Sequence, residues 1–435
     1  MAESITHARV LKVAIPIVLS NATVPILGAV DTGVIGQLGL AAPIGAVGIG
    51  AVILTTLYWV FGFLRMGTSG LVAQAKGAEN TAEVGALLSR GLLVGAGAGL
   101  VYLLLQALLF RGAFALSPAS PEVEAQARIY LGIRIWGAPA TIALYAVTGW
   151  LVGLEKTRGV FVLQLWMNGL NVCLDLWFVL GLGWGIAGVA SATLIAEYTG
   201  LALGLWLCRS AFATPDWRRV ARVFDRVRLR QMLTVNGDIM IRSVMLQISF
   251  TTFLFLGARQ GDVVLAANQV LIQFLEITAY ALDGFAFAAE ALVGQAFGAK
   301  SPARVRRAAI VTSQWGVGGA VLLGAVFLVA GPWIIDLMTK APEVQVATRD
   351  YLFWIGMAPI IGIASWMFDG IFIGATRTRD MRLAMFHSGL VYLVALFVLL
   401  PSFGNHGLWA ALMVLNLARG WTLWRRYPAL EAAAA

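Results

Sequence analysis

The sequence contains an internal repeat, and this repeat limits the possible folds more than any other feature. One constant offset in the numbering relates several separate places, which indicates that an ancestral half of roughly 210–220 residues was duplicated and fused. The matching segments are P-E-V at 121–123 and 342–344, Gln74 and Gly77 with Gln295 and Gly298, Arg128 and Tyr130 with Arg349 and Tyr351, and T-R at 157–158 and 378–379.

Each half consists largely of long apolar segments. Hydrophobic residues make up 60% of the chain, charged residues 12%, and the mean hydropathy is +0.83, which is outside the range of water-soluble domains. The sequence therefore predicts an all-α integral membrane protein with twelve transmembrane helices in two homologous six-helix bundles. The expected spans are 10–36, 44–66, 86–111, 123–151, 160–182, 186–208, 231–257, 263–289, 306–330, 343–373, 383–401 and 405–424.

The basic residues indicate the orientation of these spans. If the N-terminus is cytoplasmic, the inner loops hold 24 Lys and Arg residues and the outer loops hold 5. This asymmetry predicts that both termini are cytoplasmic and that the two six-helix halves form a parallel repeat. The expected division is an N-terminal lobe at 1–208, a basic cytoplasmic linker at 209–230 and a C-terminal lobe with a short tail at 231–435.

The net charge of +9 is explained by this loop distribution. A nucleic-acid-binding protein would gather its basic residues on one folded face among aromatic side chains, so no nucleic-acid partner is expected. The seven arginines of 209–230 are expected to contact anionic lipid headgroups. Cys173 and Cys208 fall on different spans and imply no disulfide framework.

Polar residues within spans are the candidates for function, because a charge in hydrocarbon costs at least about 2.5–3.5 kcal/mol. The first span contains Asp31, whose carboxylate could take up and release a proton, or could simply cap the span at the interface. Pro16 and Pro25 each remove a backbone hydrogen bond from this span and predict bends in it.

The fifth and sixth spans add a second polar group. Asn168, Asn171 and Asp175 share one helix face, and Thr193 and Glu197 are spaced four residues apart on the next span. Small residues at 185–192 allow these two spans to pack closely. The group could form a proton or cation site, or it could be a hydrogen-bonded network that only serves packing.

The second half has its own ionisable residues. Asp238 and Arg242, four residues apart, are expected to form a structural ion pair. Glu276, Asp283 and Asp369 could line a substrate cavity, and a structural role for Asp369 is equally open. A minority of aromatic and methionine side chains could contact flat cations in the cavity. The further cavity candidates are Asn168, Trp166 and Met240.

Several motifs together resemble the multidrug and toxic compound extrusion (MATE) family, and those of the second half look like its DinF branch. The resemblance spans nearly the whole chain. It is carried by VDTGVIG at 30–36, NVCLD at 171–175, GIAGVASAT at 185–193, ALDGF at 281–285, GQAFG at 294–298 and FDGIFIGATR at 368–377.

The resemblance implies a secondary active transporter that exports organic, often cationic and amphipathic compounds in exchange for H+ or Na+, as a monomer in the bacterial inner membrane. In DinF-like relatives the first-helix aspartate is linked to proton coupling, which assigns this role to Asp31 together with Asn171, Asp175 and Thr193. The bend of the first helix is assigned to Pro16. The Na+-type pattern of second-half acids is met only loosely, which favours H+. No cofactor or bound metal is implied.

Two alternatives remain open at this stage. The first is a Na+-coupled antiporter, and the second is a lipid or lipid-linked-sugar flippase, although a flippase would need a more basic cavity than these mostly acidic spans offer. An enzyme is not expected, since the chain has neither an H-E-x-x-H nor a G-x-S-x-G motif.

The repeat itself sharpens the functional expectation. At the offset of the repeat, Asp31 and Asp175 correspond to Thr252 and Leu396, and Asp369 corresponds to Thr148. The two halves therefore share a scaffold but not their buried charges. This predicts that the first half handles the proton and that the second half forms a substrate-cavity wall.

Overall fold

The computed structural model describes residues 4–37, 41–116 and 120–435, and these form a succession of α-helices. Most helices follow one another through short turns. They are α1 (His7–Ala22), α2 (Val24–Gly36), α3 (Ala41–Trp59), α4 (Gly62–Gly77), α5 (Thr81–Leu116), α6 (Pro121–Arg134), α7 (Ala138–Gly153), α8 (Thr157–Asp175), α9 (Gly185–Leu207), α10 (Val220–Val223), α11 (Arg226–Ala258), α12 (Asp262–Gly298), α13 (Pro302–Met338), α14 (Pro342–Gly374) and α15 (Thr378–Ala432).

The predicted all-helical membrane fold is confirmed. Ten helical stretches among the described residues are long and apolar enough to cross a membrane. The first span is divided into the shorter α1 and α2, and α15 contains two helices joined at Gly404, whose φ is +54°. Counting the divided first span and both parts of α15 gives twelve spans.

The first span is interrupted at Thr23, between α1 and α2. Pro25 stands in the first turn of α2, where its missing N–H costs no helical hydrogen bond. The Thr23 N–H and hydroxyl both donate to the carbonyl of Ser20, at 3.1 and 2.7 Å. Pro16, by contrast, lies inside α1, which runs from His7 to Ala22.

The chain divides into two compact units. One contains Leu19–Ala75 and Asn80–Gln231, and we call it the N unit. The other contains the chain up to Val18, Lys76–Glu79 and Met232–Ala435, and we call it the C unit. In the C unit the buried core includes Phe253, Tyr392 and Trp409.

The backbone preserves the sequence repeat at two helix ends in each half. Glu79 and Lys300 have positive φ angles of 56° and 52°, and Glu155 and Thr376 have φ angles of 60° and 50°. The two residues of each pair are separated by the offset of the sequence repeat. Each of these four residues follows the end of a helix. Its backbone N–H and that of the next residue donate to carbonyls in the last turn of the helix, which is the pattern of a Schellman cap. Because a left-handed conformation is unfavourable for these residues, its recurrence at the same offset indicates inheritance from one ancestral turn.

Helix packing follows the same repeat. In the N unit, a Cβ atom at Gly149 would collide with the Arg65 carbonyl, and in the C unit one at Gly370 would collide with the Ala286 carbonyl. Both the glycines and their partners are related by the offset of the repeat. The close approach of α4 to α7 is therefore reproduced by α12 and α14.

Candidate functional site

The four residues predicted to form a proton network come together in the N unit. Asp31 lies on α2, Asn171 and Asp175 on α8, and Thr193 on α9. Asp175 and Asn171 are buried, with 0% and 1% of their surfaces exposed. The helical spacing of four residues places Asn171 and Asp175 on one face of α8, and that face is directed toward α2 and α9.

The Asn171 amide is the centre of this site. In the orientation that satisfies its surroundings, Nδ2 donates to Asp31 Oδ1 and to Asp175 Oδ2, each at 3.1 Å. Its Oδ1 lies 3.0 Å from the Thr193 hydroxyl and 3.3 Å from the Thr193 backbone nitrogen. Asn171 therefore links the carboxyl groups on α2 and α8 to Thr193 on α9.

The two carboxyl groups also lie next to each other. Asp31 Oδ1 and Asp175 Oδ2 both accept from Asn171 Nδ2, so a proton on either carboxyl group would remove the repulsion between two negative charges. Asp175 Oδ1 is buried and has no N–H or hydroxyl donor among the described residues. This acid pair, which we call the Asp31–Asp175 pair, is a place where one proton can be held or lost.

An ion pair that was not predicted lies beside this site. Arg134 at the end of α6 bonds to Glu197 Oε2 on α9 at 2.7 Å, and both side chains are buried. A Cβ atom at Gly137 would collide with the Glu197 carboxylate, so this glycine makes room for the pair. Arg134 is close enough to act electrostatically on Asp31 and Asp175.

The spacing in the sequence placed Glu197 on the sixth span but did not predict an arginine partner for it. The available signal was the isolation of Arg134, because an arginine within a span requires an acid on a neighbouring span.

Asn168 is one turn before Asn171 on α8, and it contacts the interruption of the first span. Its Nδ2 donates to the Thr23 hydroxyl at 2.8 Å and to the Thr23 carbonyl at 3.3 Å. Gln164 donates to Asn168 Oδ1 at 3.0 Å. The same face of α8 therefore contacts both the break in the first span and the Asp31–Asp175 pair.

The backbone changes its winding immediately after Asp175. Residues Leu176–Gly181 form a π-helical segment, and the turn that follows contains Gly183 with φ of +71°. Short π-helical insertions are frequent at functional sites, because they leave local backbone groups less regularly bonded.

Two buried aspartates of the C unit are bound by arginines. The expected ion pair between Asp238 and Arg242 is wrong: Asp238 bonds to Arg382 at 2.7 Å, while Arg242 bonds to Asp369. A second guanidinium, that of Arg419, bonds to Asp369 at 2.6 Å. The four-residue spacing made a pair possible, but the long arginine side chain reaches a different helix.

The other cavity candidates are spread over both units. In the C unit, Glu276 and Met240 are exposed, and the half-buried Asp283 acts electrostatically on Arg242. In the N unit, Trp166 is exposed, and its indole N–H donates to Thr199 at 3.3 Å. Within the described ranges, no group of three His, Cys, Asp or Glu side chains could hold a metal ion.

Comparison with known sequences decides the family. The family described as MatE matches residues 16–177 and 239–398, once in each half of the chain. This chain belongs to the MATE family. The two matches fall on equivalent parts of the two halves, in agreement with the repeat in the sequence. Proteins of the MATE family are transporters, so the chain is a transporter and not an enzyme.

A DinF relative is also similar over nearly its whole length. DNA damage-inducible protein F of Escherichia coli (strain K12) is 41% identical over 421 residues, covering 95% of this chain and 91% of that protein. The resemblance to the DinF branch is therefore confirmed.

Solved structures of MATE and related transporters share the fold. The Vibrio cholerae MATE transporter VcmN in the bent form has a TM-score of 0.86 and 21% identity, covering 98% of this chain and 97% of that one. A MOP superfamily transporter from Pyrococcus furiosus has a TM-score of 0.87 and 16% identity, covering 99% and 97%.

Proposed function

We propose that this MATE transporter is an antiporter that exports amphipathic organic cations in exchange for protons. The observation that carries the proposal is the adjacency of the Asp31 and Asp175 carboxyl groups, which both accept from Asn171 Nδ2 at 3.1 Å and can share one proton. No guanidinium or ammonium group among the described residues forms an ion pair with either carboxyl group. Loss of the shared proton would place two negative charges together, a strongly different electrostatic state.

Proton coupling is favoured over sodium coupling by the orientation of Asn171. When this amide is oriented to satisfy its neighbours, its NH2 group faces both carboxyl groups and offers N–H donors where a sodium ion would need oxygen ligands. The Na+-coupled antiporter remains the alternative, and it would require rotation of this amide.

Coupling between proton and substrate is proposed to run through the first span. Asn171 contacts the acid pair, and Asn168 on the same helix contacts Thr23 at the break between α1 and α2. A change in the protonation of the pair would shift α2 against α8 and alter the bend near Pro25. Such a change can drive transport only if the protonated and deprotonated states differ in their affinity for the substrate.

The substrate-facing acid of the C unit is proposed to be Glu276. Its side chain is exposed in the middle of α12 and has no ion-pair partner within the described ranges. Asp369 is unsuited to this role, because Arg242 and Arg419 already compensate its charge. Met240, which is exposed in the same unit, is proposed to supply an apolar contact to the substrate.

The proposed location is the bacterial inner membrane, with both termini in the cytoplasm. The support is the excess of Lys and Arg in alternate loops, which by the positive-inside rule faces the cytoplasm.

The proposal is tested with purified protein in proteoliposomes containing a pH-sensitive dye. Adding a cationic dye such as ethidium should produce proton movement opposite to that of the dye, without sodium. Asp31→Asn should reduce this movement to the level of empty liposomes, since an amide cannot exchange the proton. Asp225→Asn in the linker is the matched control and should transport normally, because an asparagine can still cap α11. Transport that requires sodium and ignores the pH gradient would overturn proton coupling.

A further inference from the structure

The segment between α9 and α11 is fixed to the N unit by a buried arginine. Arg90 of α5, only 1% exposed, forms an ion pair with Glu83 at 2.6 Å. Its remaining N–H groups donate to the carbonyls of Val223 and Arg222, at 2.9 and 2.7 Å. The arginine therefore holds α10 in one place against α5.

This linker exposes three apolar side chains. Val220, Phe224 and Val227 are 70%, 56% and 77% exposed. Val220 begins α10, Phe224 follows the end of α10, and Val227 lies in the first turn of α11. The linker joins the end of one span at Leu207 to the start of the next at Arg226, so it lies at the level of the membrane surface. Exposed apolar residues at this level are typical of segments that insert into the headgroup region.

The same segment carries a strong positive charge. Residues 209–230 contain seven arginines and two aspartates. A cleft of about 530 Å³ is lined by Arg219, Arg222 and Arg228, together with the Arg90–Glu83 pair and Asp225.

The two aspartates do not neutralise this cleft. Asp216 contacts Arg219 and Arg222 only at 3.4 and 3.6 Å. The backbone N–H of Arg228 donates to Asp225 and holds the pKa of that carboxyl below its usual value, so it stays ionised at neutral pH. Three arginine side chains face two carboxylates, which leaves an excess of positive charge.

An apolar cavity adjoins the basic cleft. It has a volume of about 270 Å³, and Val220 lines both spaces. Its other walls include Leu93, Phe212, Trp217 and Phe224. Ser89 donates to the Trp217 carbonyl at 2.6 Å and thereby fixes this wall to α5. A basic cleft next to an apolar cavity matches the two chemical parts of a phospholipid.

We propose that this linker is a binding site for one anionic glycerophospholipid. The phosphate lies in the cleft between Arg219, Arg222 and Arg228, and part of an acyl chain occupies the cavity beside Trp217 and Phe224. Guanidinium groups suit this role because they bind phosphate oxygens in pairs.

The test is native mass spectrometry of the full chain in detergent, titrated with dioleoyl phosphatidylglycerol or dioleoyl phosphatidylcholine. Phosphatidylglycerol should bind more tightly. The triple variant Arg219→Gln/Arg222→Gln/Arg228→Gln should lose this preference, with a change of about fivefold for each arginine removed. A matched triple variant in the C unit, Arg304→Gln/Arg379→Gln/Arg425→Gln, should keep it.

A second measurement separates the two parts of the site. Phe224→Asn should weaken both lipids equally, because it removes apolar contact and leaves the charge unchanged. If the triple variant does not fold, Arg228→Gln alone should still weaken phosphatidylglycerol binding. Equal binding of the two lipids by the unmodified protein would overturn the proposal. So would complete displacement by millimolar inorganic phosphate, which would indicate a site for free phosphate.

Discussion

Asp31 and Asp175 of the N unit and two buried aspartates of the C unit have opposite surroundings. In the N unit, both carboxyl groups accept from the Asn171 amide. In the C unit, Asp238 is bound by Arg382, and Asp369 is bound by both Arg242 and Arg419. The backbone turns and the close helix contacts are nevertheless repeated between the halves.

This difference separates scaffold from chemistry. The negative charge of a carboxylate bound by guanidinium groups is already balanced, so a proton would not stabilise it. Two adjacent carboxyl groups, by contrast, repel each other unless one of them holds a proton. The duplicated scaffold therefore carries a charge-balanced C unit and an N unit whose charge can change.

Replacing Asp369 with Asn should have the largest effect on stability. The change leaves Arg242 and Arg419 buried without a carboxylate, and breaking a buried ion pair in this way costs about 3–5 kcal/mol. Thermal unfolding of the detergent-purified protein should show a clear decrease in the midpoint. Asp31→Asn is the matched control and should unfold at nearly the unmodified temperature. Equal destabilisation by both variants would break the comparison.

The Arg134–Glu197 pair should behave like the arginine-bound acids of the C unit, although it lies in the N unit. Arg134→Gln and Glu197→Gln should each destabilise the protein, and the double variant should be more stable than the sum of the two effects predicts. A coupling free energy of about 1–3 kcal/mol is expected from the double-mutant cycle. Additive effects would show that the pair contributes no specific interaction.

Asn168→Ala should have the smallest effect on stability. It removes the hydrogen bonds to Thr23 and should cost about 1–2 kcal/mol in the free energy of unfolding. If the break in the first span is coupled to the acid pair, proton-driven dye export should fall by more than the loss of folded protein explains. Val162→Ala, on the same helix, is the control for a change at an exposed position. Normal export by the Asn168 variant would remove Asn168 from the coupling route.

Much of the fold could be predicted because hydropathy and the repeat depend on local sequence. The twelve apolar segments and the two equivalent halves follow from residue type and spacing alone. The grouping of Asn171, Asp175 and Thr193 could also be predicted. Helical spacing places such residues on one face of a helix, and small neighbouring residues allow two such faces to approach each other.

The partners of the arginines could not be predicted in the same way. Arg242 has an acid four residues earlier on its own helix but bonds to Asp369, 127 residues later in the chain. The choice depends on how α11, α14 and α15 pack, which spacing within one helix does not encode. The contact between Asn168 and Thr23 at the break of the first span is a similar case, because the two residues lie on different spans.

The joining of Asp31 to Asp175 also has a consequence for biosynthesis. The two residues are about 140 positions apart, so at ribosomal rates of roughly 5–20 residues per second the first span is complete on the order of ten to thirty seconds before its partner. During that interval the membrane must accept Asp31 without Asn171 or Asp175. The first span is therefore inserted before the partners of Asp31 exist, and the fifth span supplies them.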